Sequence, residues 1–366
     1  MKVLVCIPCL QNGGTEVQTL SLVEALVAAH HKPIVACYFE YEARMVERYR
    51  QSGAVVRLLS DDGNRPLGVL NTARFLWSGL KKIVKQERPD VAHVQYMAPG
   101  ALPIILLRAM GVKRIIATTH TPADIYSASG LRLIKLLART CLTGFQCITK
   151  LAERSYFGSA SIFDGTLKPH FTIYNGLPSH IKITDTPRSF SSDIITIGVV
   201  SRLADIKGMD LVIPAFNIAR KNNSRLRLLI VGDGDLRSIM DNQRTESQYP
   251  ADITFVGLKP QSELQQWYDR MDILLMPSRS EGFGLTAIEG MARGCVPVVA
   301  NVGGLPEVVT PDCGFLHEPE NIEDIAHRII DCLACLKEKS ASAIRRASQF
   351  SSSKYNESIQ SLYDII

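Results

Sequence analysis

The feature that most limits the fold of this chain is a rhythm that runs along it twice. Short strings rich in Val, Ile and Leu, at 3–7, 34–38, 55–58, 91–94, 114–118, 145–149 and 172–174, alternate with amphipathic segments of helical period. Apolar strands of that length, separated by helices, belong to a parallel sheet covered on both faces. The polar stretch 177–193, "LPSHIKITDTPRSFSSD", breaks the pattern and is expected to link two domains. Beyond it the same grammar restarts, with strands expected at 194–200, 227–231, 253–256, 273–276 and 296–300. The expectation is two doubly wound α/β domains, 1–180 and 181–350, facing across a cleft, with 351–366 forming a helix that crosses back onto the first. A chain of 366 residues has enough apolar material for two such cores.

Composition removes several other classes. At 46% hydrophobic and 21% charged, without a biased tract, the chain reads as globular rather than disordered. Its nine cysteines are odd in number and sit in apolar strings such as "VLVCIPCL", which suits buried free thiols in a reducing cytosol. The pairs Cys6/Cys9 and Cys332/Cys335 lack a second pair at ligand spacing, so no metal is expected. The opening "MKVLVCIPCL" reads as a first strand rather than a signal peptide, and no uncharged apolar run is long enough to span a bilayer. Charge is divided unevenly: 22 basic and 13 acidic residues through Asp185, then 19 and 23. A basic first half suggests an anionic partner there, and a membrane surface suits it better than nucleic acid because aromatic residues are not interleaved.

Doubly wound sheets bind ligands outside the carboxyl ends of their strands, which makes strand exits the first place to look. After the first strand, "PCLQNGGTE" puts Gly13 and Gly14 at a strand-to-helix turn where backbone amides suit a phosphate; the plain alternative is a tight turn with Glu16 as a first-turn acid. His120 follows "RIIATT" and is placed to bond a hydroxyl or act as a base, whereas His93, inside "VAHVQY", is expected to pack. Arg202 and Lys207 follow the first strand of the second half and supply the charge a diphosphate needs, with no metal invoked.

The stretch "PSRSEGFGLTAIEGMARGCVPVVA" carries Glu281 in a loop, a helix opening at Phe283, Gly284 and Leu285, and Glu289 alone among apolar residues. A buried carboxylate is costly without dedicated partners, and ribose hydroxyls can be those partners. Glu281 would then meet a sugar, and the amides of 283–285 a phosphate. Read as structure only, Glu281 is a helix-start acid and Glu289 a salt-bridged core residue. Gly257 is expected at the rim, where a nucleobase could lie, and Asp233 and Asp235 read as helix-start residues.

Taken together, "GGTE" at 13–16, His120, "YNG" at 174–176, Arg202, Lys207, "VGDG" and Glu281-Gly-Phe-Gly with Glu289 resemble the retaining, nucleotide-sugar-dependent glycosyltransferases of the family 4 type. The resemblance covers essentially the whole chain. It implies the GT-B fold: a Rossmann-like acceptor domain followed by a Rossmann-like nucleotide-sugar domain. It implies that Arg202 and Lys207 hold the diphosphate of a UDP- or GDP-sugar, Glu289 the ribose and Glu281 the transferred sugar. Gly14 would abut the phosphates and His120 the reacting sugar. The acceptor would be a glycan or lipid-linked hydroxyl, met in the cytoplasm or at the inner face of the membrane. Thr15 and Val17 stand where many relatives carry Ala and Arg. Two other classes fit the same architecture: a nonhydrolysing sugar-nucleotide epimerase, and a noncatalytic sugar-nucleotide-binding partner.

Overall fold

The computed structural model describes the chain except for residues 12, 97–99, 187 and 191–192. It divides into two compact units, Met1–Gly176 with Ser352–Ile366, and Leu177–Ser351. The first contains seven parallel strands: β1 Lys2–Ile7, β2 Lys32–Cys37, β3 Val55–Leu58, β4 Val91–Tyr96, β5 Ile115–Thr119, β6 Gly144–Cys147 and β7 His170–Thr172. Their order is β3-β2-β1-β4-β5-β6-β7. The second contains β8 Ile195–Val200, β9 Leu226–Val231, β10 Ile253–Gly257, β11 Ile273–Met276, β12 Val296–Ala300 and β13 Phe315–His317, in the order β10-β9-β8-β11-β12-β13. Both sheets therefore wind outward in two directions from their first strand. Each has its switch point beside that strand, between β1 and β4 or between β8 and β11.

Alternation along the strands sends successive side chains to opposite faces, and each face acquires its own core. In the first unit, Leu4, Cys6, Val94 and Ala117 pack beneath Leu76, Leu80 and Ile83 of the helix Val69–Glu87. Val3, Val5 and Ile7 meet Leu20, Val23 and Leu26 of the helix Gly14–Ala28, together with Tyr355, Ile359, Leu362 and Tyr363 of the terminal helix Ser352–Asp364. In the second unit, Ile197, Val199, Leu228, Ile230, Ile273 and Val298 pack against Phe216 and Ile329.

Three expectations need correction. The three-residue strand β13 was not foreseen, because it is too short and mixed for an apolar run to announce it. Strand β7 lies two residues earlier than expected, since the apolar string continues into Ile173 after the strand has ended. The stretch 177–193 is no free linker: Leu177 and Ile181 are buried in the second unit. There the Lys182 amide donates to Gln265 at 2.9 Å, the Thr184 amide to the Ala292 carbonyl at 2.9 Å, and Arg188 Nε to the Arg293 carbonyl at 2.9 Å. Its backbone and Arg188 are tied to the second unit, while Ser179, Lys182, Asp185, Thr186, Ser189 and Asp193 stay exposed. Pro187, Ser191 and Ser192 of that stretch, and Asn12 of the expected glycine turn, lie outside the described residues.

Candidate functional site

The exits of β8 and β11, neighbours at the switch point, are tied to each other by backbone and charge. Past β8, Arg202 is exposed, and its guanidinium makes no hydrogen bond or ion pair with a described residue. Lys207 closes a short 3-10 turn that ends at Gly208, whose φ of 62° places a would-be Cβ 2.0 Å from the Pro277 carbonyl. Only glycine lets the two loops approach that closely. Across the junction the Ile206 carbonyl accepts from the amide of Arg279 at 3.0 Å, and Lys207 Nζ reaches Glu281 Oε2 at 2.7 Å. Lys207 and Glu281, singled out separately in the sequence, are thus one ion pair.

Arg279 was missed by sequence reasoning and organises this junction. Its guanidinium forks onto both carboxylate oxygens of Asp210, at 2.7 and 2.8 Å, and its Nε contacts Glu320 at 2.6 Å. It also donates to the Asp205 carbonyl at 2.6 Å. The Asp210 carboxylate, against only modest desolvation, holds Arg279 even more firmly protonated than usual. A planar fork can satisfy this many acceptors at once, so Arg279 fastens the turn carrying Lys207 to the loop carrying Glu281. The only signal for it in the sequence is that it is the one basic residue of "PSRSEGFG".

On its other side Glu281 rests on the loop after β12. Its carbonyl accepts from the Gly304 amide at 3.0 Å, and Gly303, at φ 52°, would put a Cβ 1.8 Å from that same carbonyl. The chain then enters the helix Leu285–Ala292 through Gly284, with Phe283 buried edge-on against Phe350 at 5.6 Å. The amides of Gly284 and Leu285 bond to no described residue, as expected at a helix start. Glu289, on the buried face of this helix, accepts from the Tyr268 hydroxyl at 2.6 Å. Burial pushes its carboxyl up to about 7, with the Tyr268 hydrogen bond opposing. The dedicated partner that the sequence called for is therefore supplied in part by the protein, as a hydroxyl rather than the cation of a salt bridge. No spacing in the sequence links Tyr268 to Glu289.

Gly257 ends β10 in a register irregularity at φ 79° and accepts from the Gly232 amide at 3.0 Å. Strand β9 separates it from β8, so the structure does not bring it onto the Lys207–Glu281 pair. Asp233 accepts from the Gly234 amide at 2.8 Å, a local loop contact. Among the described residues, no group of three His, Cys, Asp or Glu side chains is placed to hold a metal ion.

In the first unit, the reason for glycine at 13 is internal. A Cβ there would lie 2.4 Å from Glu16 Oε2, because the Glu16 carboxylate folds over the start of its own helix. Its other oxygen accepts from Cys9 Sγ at 3.1 Å, and burial raises its pKa. Gly14 opens the helix. His120 stands directly past β5, nearly buried, with Nε2 2.6 Å from Gln95 Oε1 on the neighbouring strand. Burial lowers its pKa to about 4, so the ring is neutral at physiological pH: Nε2–H donates to Gln95 and Nδ1 is left to accept. His93 is wholly buried, as expected for a packed strand residue.

Comparison with known proteins agrees with this architecture. The family model described as glycosyl transferases group 1 matches residues 185–350, and that of glycosyltransferase family 4 matches residues 12–150. Among solved structures, Anabaena Alr3699/HepE in complex with UDP shares the fold, with a TM-score of 0.81 at 18% identity over 100% of both chains. An uncharacterized glycosyltransferase of Methanocaldococcus jannaschii is 27% identical over 69% of this chain and 68% of its own length. One component of the human phosphatidylinositol N-acetylglucosaminyltransferase is 27% identical over 84% of this chain, which spans 63% of that protein. The two Rossmann-like sheets are those of the GT-B fold. The chain belongs to the glycosyltransferases of the family 4 type.

Proposed function

We propose that the chain transfers a hexose or N-acetylhexosamine from a UDP- or GDP-sugar to a hydroxyl of a glycan or lipid-linked acceptor, with retention of anomeric configuration. The observation that carries this reading is the Lys207–Glu281 pair at the switch point, beside the exposed Arg202 and one helix away from the buried Glu289. Two cations beside open helix-start amides suit a diphosphate, and carboxylates suit sugar and ribose hydroxyls. Similar proteins support the substrate classes. Anabaena HepE is described in complex with UDP and with UDP-glucose, and a Corynebacterium glutamicum relative, 27% identical over 69% of this chain, is named a GDP-mannose-dependent mannosyltransferase acting on a phosphatidylinositol mannoside. Both that relative and the human one carry phosphatidylinositol in their names, which favours a lipid-linked acceptor here.

In the proposed reaction the bond from the sugar's anomeric carbon to the diphosphate breaks, and the acceptor hydroxyl forms the new bond on the same face. Its proton passes to the departing phosphate oxygen. Arg202 and Lys207 meet the charge that grows on the diphosphate, so the reading calls on no metal. Glu281 orients the sugar, Glu289 the ribose, and His120 accepts a hydroxyl hydrogen bond at Nδ1. No helix among the described residues is long and apolar enough to cross a membrane. We assign the protein to the cytoplasm, attached peripherally to an anionic inner leaflet.

A donor screen tests the reading: release of UDP, GDP or ADP from a panel of sugar nucleotides, with and without lipid-linked acceptors. Release that depends on acceptor and is lost in Lys207→Ala supports transfer. Epimerised donor with no release, or nucleotide binding with neither, overturns it.

A further inference from the structure

His93 has no part in the reaction outlined above, yet it is bonded at both ring nitrogens in a fully buried position. Strands β4 and β5 pair with Gln95 opposite Thr118, so His93, Gln95, Thr118 and His120 share one face of the sheet. Two diagonal hydrogen bonds of the same offset join them: His93 Nε2 to Thr118 Oγ1 at 2.6 Å, and Gln95 Oε1 to His120 Nε2 at 2.6 Å. His93 Nδ1 lies 2.8 Å from the hydroxyl of Tyr363, and the two rings stack with centroids 6.2 Å apart. Tyr363 is itself buried, on the terminal helix, 270 residues away in sequence. The two histidines are also close enough that charge on His120 disfavours charge on His93.

We infer that His93 and Tyr363 are positioning residues for His120, through which the terminal helix fixes the strand end that carries it. The inference rests on the role proposed above for His120. Strand β5 ends at Thr119, so His120 has left the ladder and its ring is aimed by Gln95 and by the residues just before it. The His93 bond holds the Thr118 side chain, and the Tyr363 hydroxyl keeps the His93 ring from turning away from it. An aliphatic residue would fill the volume of His93 without the desolvation cost of an imidazole, which two hydrogen bonds must offset.

The geometry allows the two arms to be separated. Asn at 93 reaches the place of Nδ1 and keeps the Tyr363 arm; Gln reaches the place of Nε2 and keeps the Thr118 arm. Ring signals of the isotope-labelled full chain, with His120 assigned from His120→Ala, report its orientation without substrate. Tyr363→Phe, Thr118→Val and His93→Asn should each move the His120 signal, and His93→Gln should move it less. With the donor found by the screen, Thr118→Val and His93→Asn should lower kcat about fivefold or more at unchanged UDP affinity, beyond what any loss of thermal stability accounts for. An unmoved His120 signal in all of these variants, or kcat losses that only track lost thermal stability, overturns the positioning role. If the signal moves but His120→Ala keeps wild-type kcat, the role of His120 itself fails and the catalytic half of the inference falls with it.

Discussion

Two glutamates of one short stretch live in opposite surroundings, and that difference makes them separable. Glu281 is half-buried and faces a cation, whereas Glu289 is enclosed and faces a hydroxyl. With its carboxyl raised to about 7 by burial, Glu289 favours its protonated form in the folded protein more than in the unfolded chain. Its contribution to stability is complete below the ordinary carboxylate pKa and is lost as pH rises through about 7. Glu289→Gln should remove that loss, leaving the variant more stable than the parent at pH 8 by on the order of 2 to 3 kcal/mol, and no more stable at pH 4. Paired thermal melts across that range check it; parallel curves would contradict the burial argument. Glu289→Gln should also weaken UDP binding through the ribose. Glu281→Gln should lose turnover while keeping UDP affinity, and calorimetry beside kinetics distinguishes the two. Arg202→Ala should cost at least about tenfold in UDP affinity, or about 1.4 kcal/mol, because a charge-assisted contact disappears. Unchanged affinity and turnover would remove Arg202 from the site. The residues proposed for the site were legible in the sequence because acids and bases stand out at the ends of apolar strands. Their partners Tyr268 and Gln95 were not, since a hydrogen-bonding partner chosen by tertiary packing leaves no spacing to read.

Elements show the same division. The strands whose apolar strings announce them were readable, and with them the doubly wound character of both sheets, because each string is a buried parallel strand. Strand β13 and the docking of 177–193 were not readable, as both depend on what neighbouring elements leave unsatisfied. The junction of the β8 and β11 exits is likewise a property of elements rather than of any one residue. Arg279 gathers Asp205, Asp210 and Glu320 around the two exits, and Glu320 sits at φ 59°, a conformation that disfavours a residue with a side chain. Arg279→Lys keeps the charge but loses the fork, so the two loops should loosen together. Expected is a several-fold weaker UDP affinity, about 1 kcal/mol, with the fold retained. Calorimetric titration of UDP into the variant decides it. Wild-type affinity would show that the Lys207–Glu281 pair and the Arg279 amide bond to Ile206 hold the junction without the fork.

At the scale of the whole molecule, the basic excess and most of the exposed large apolar residues fall in the same unit. Packing divides the apolar residues of the helix Val69–Glu87: Leu80 and Ile83 are core residues, and Phe75 and Val84 lean on that core. What stays outside is a knuckle at the start of the helix, Leu67 at 88%, Val69 at 80% and Leu70 at 76% exposure, with Trp77 farther along. Lys81, Lys82 and Lys85 are exposed on the same helix, and Lys81 Nζ lies 5.6 Å from the Trp77 ring centroid. The helix Ala128–Thr140 repeats the combination, exposing Leu133 and Leu136 among Arg132, Lys135 and Arg139. Solvent alone gives no reason for three large aliphatic residues at one helix end, whereas an anionic bilayer offers the lysines phosphate and the aliphatic side chains a hydrocarbon boundary. The protein should sediment with vesicles containing anionic lipid, little with neutral ones, and be released in part as salt approaches ~0.5 M. Lys81, Lys82 and Lys85 changed together to Gln should weaken the electrostatic part, and Leu67→Ser with Leu70→Ser the part that survives salt, both with UDP affinity intact. If the wild-type protein stays in the supernatant with anionic vesicles at low salt, attachment fails and a soluble sugar acceptor becomes the better assignment.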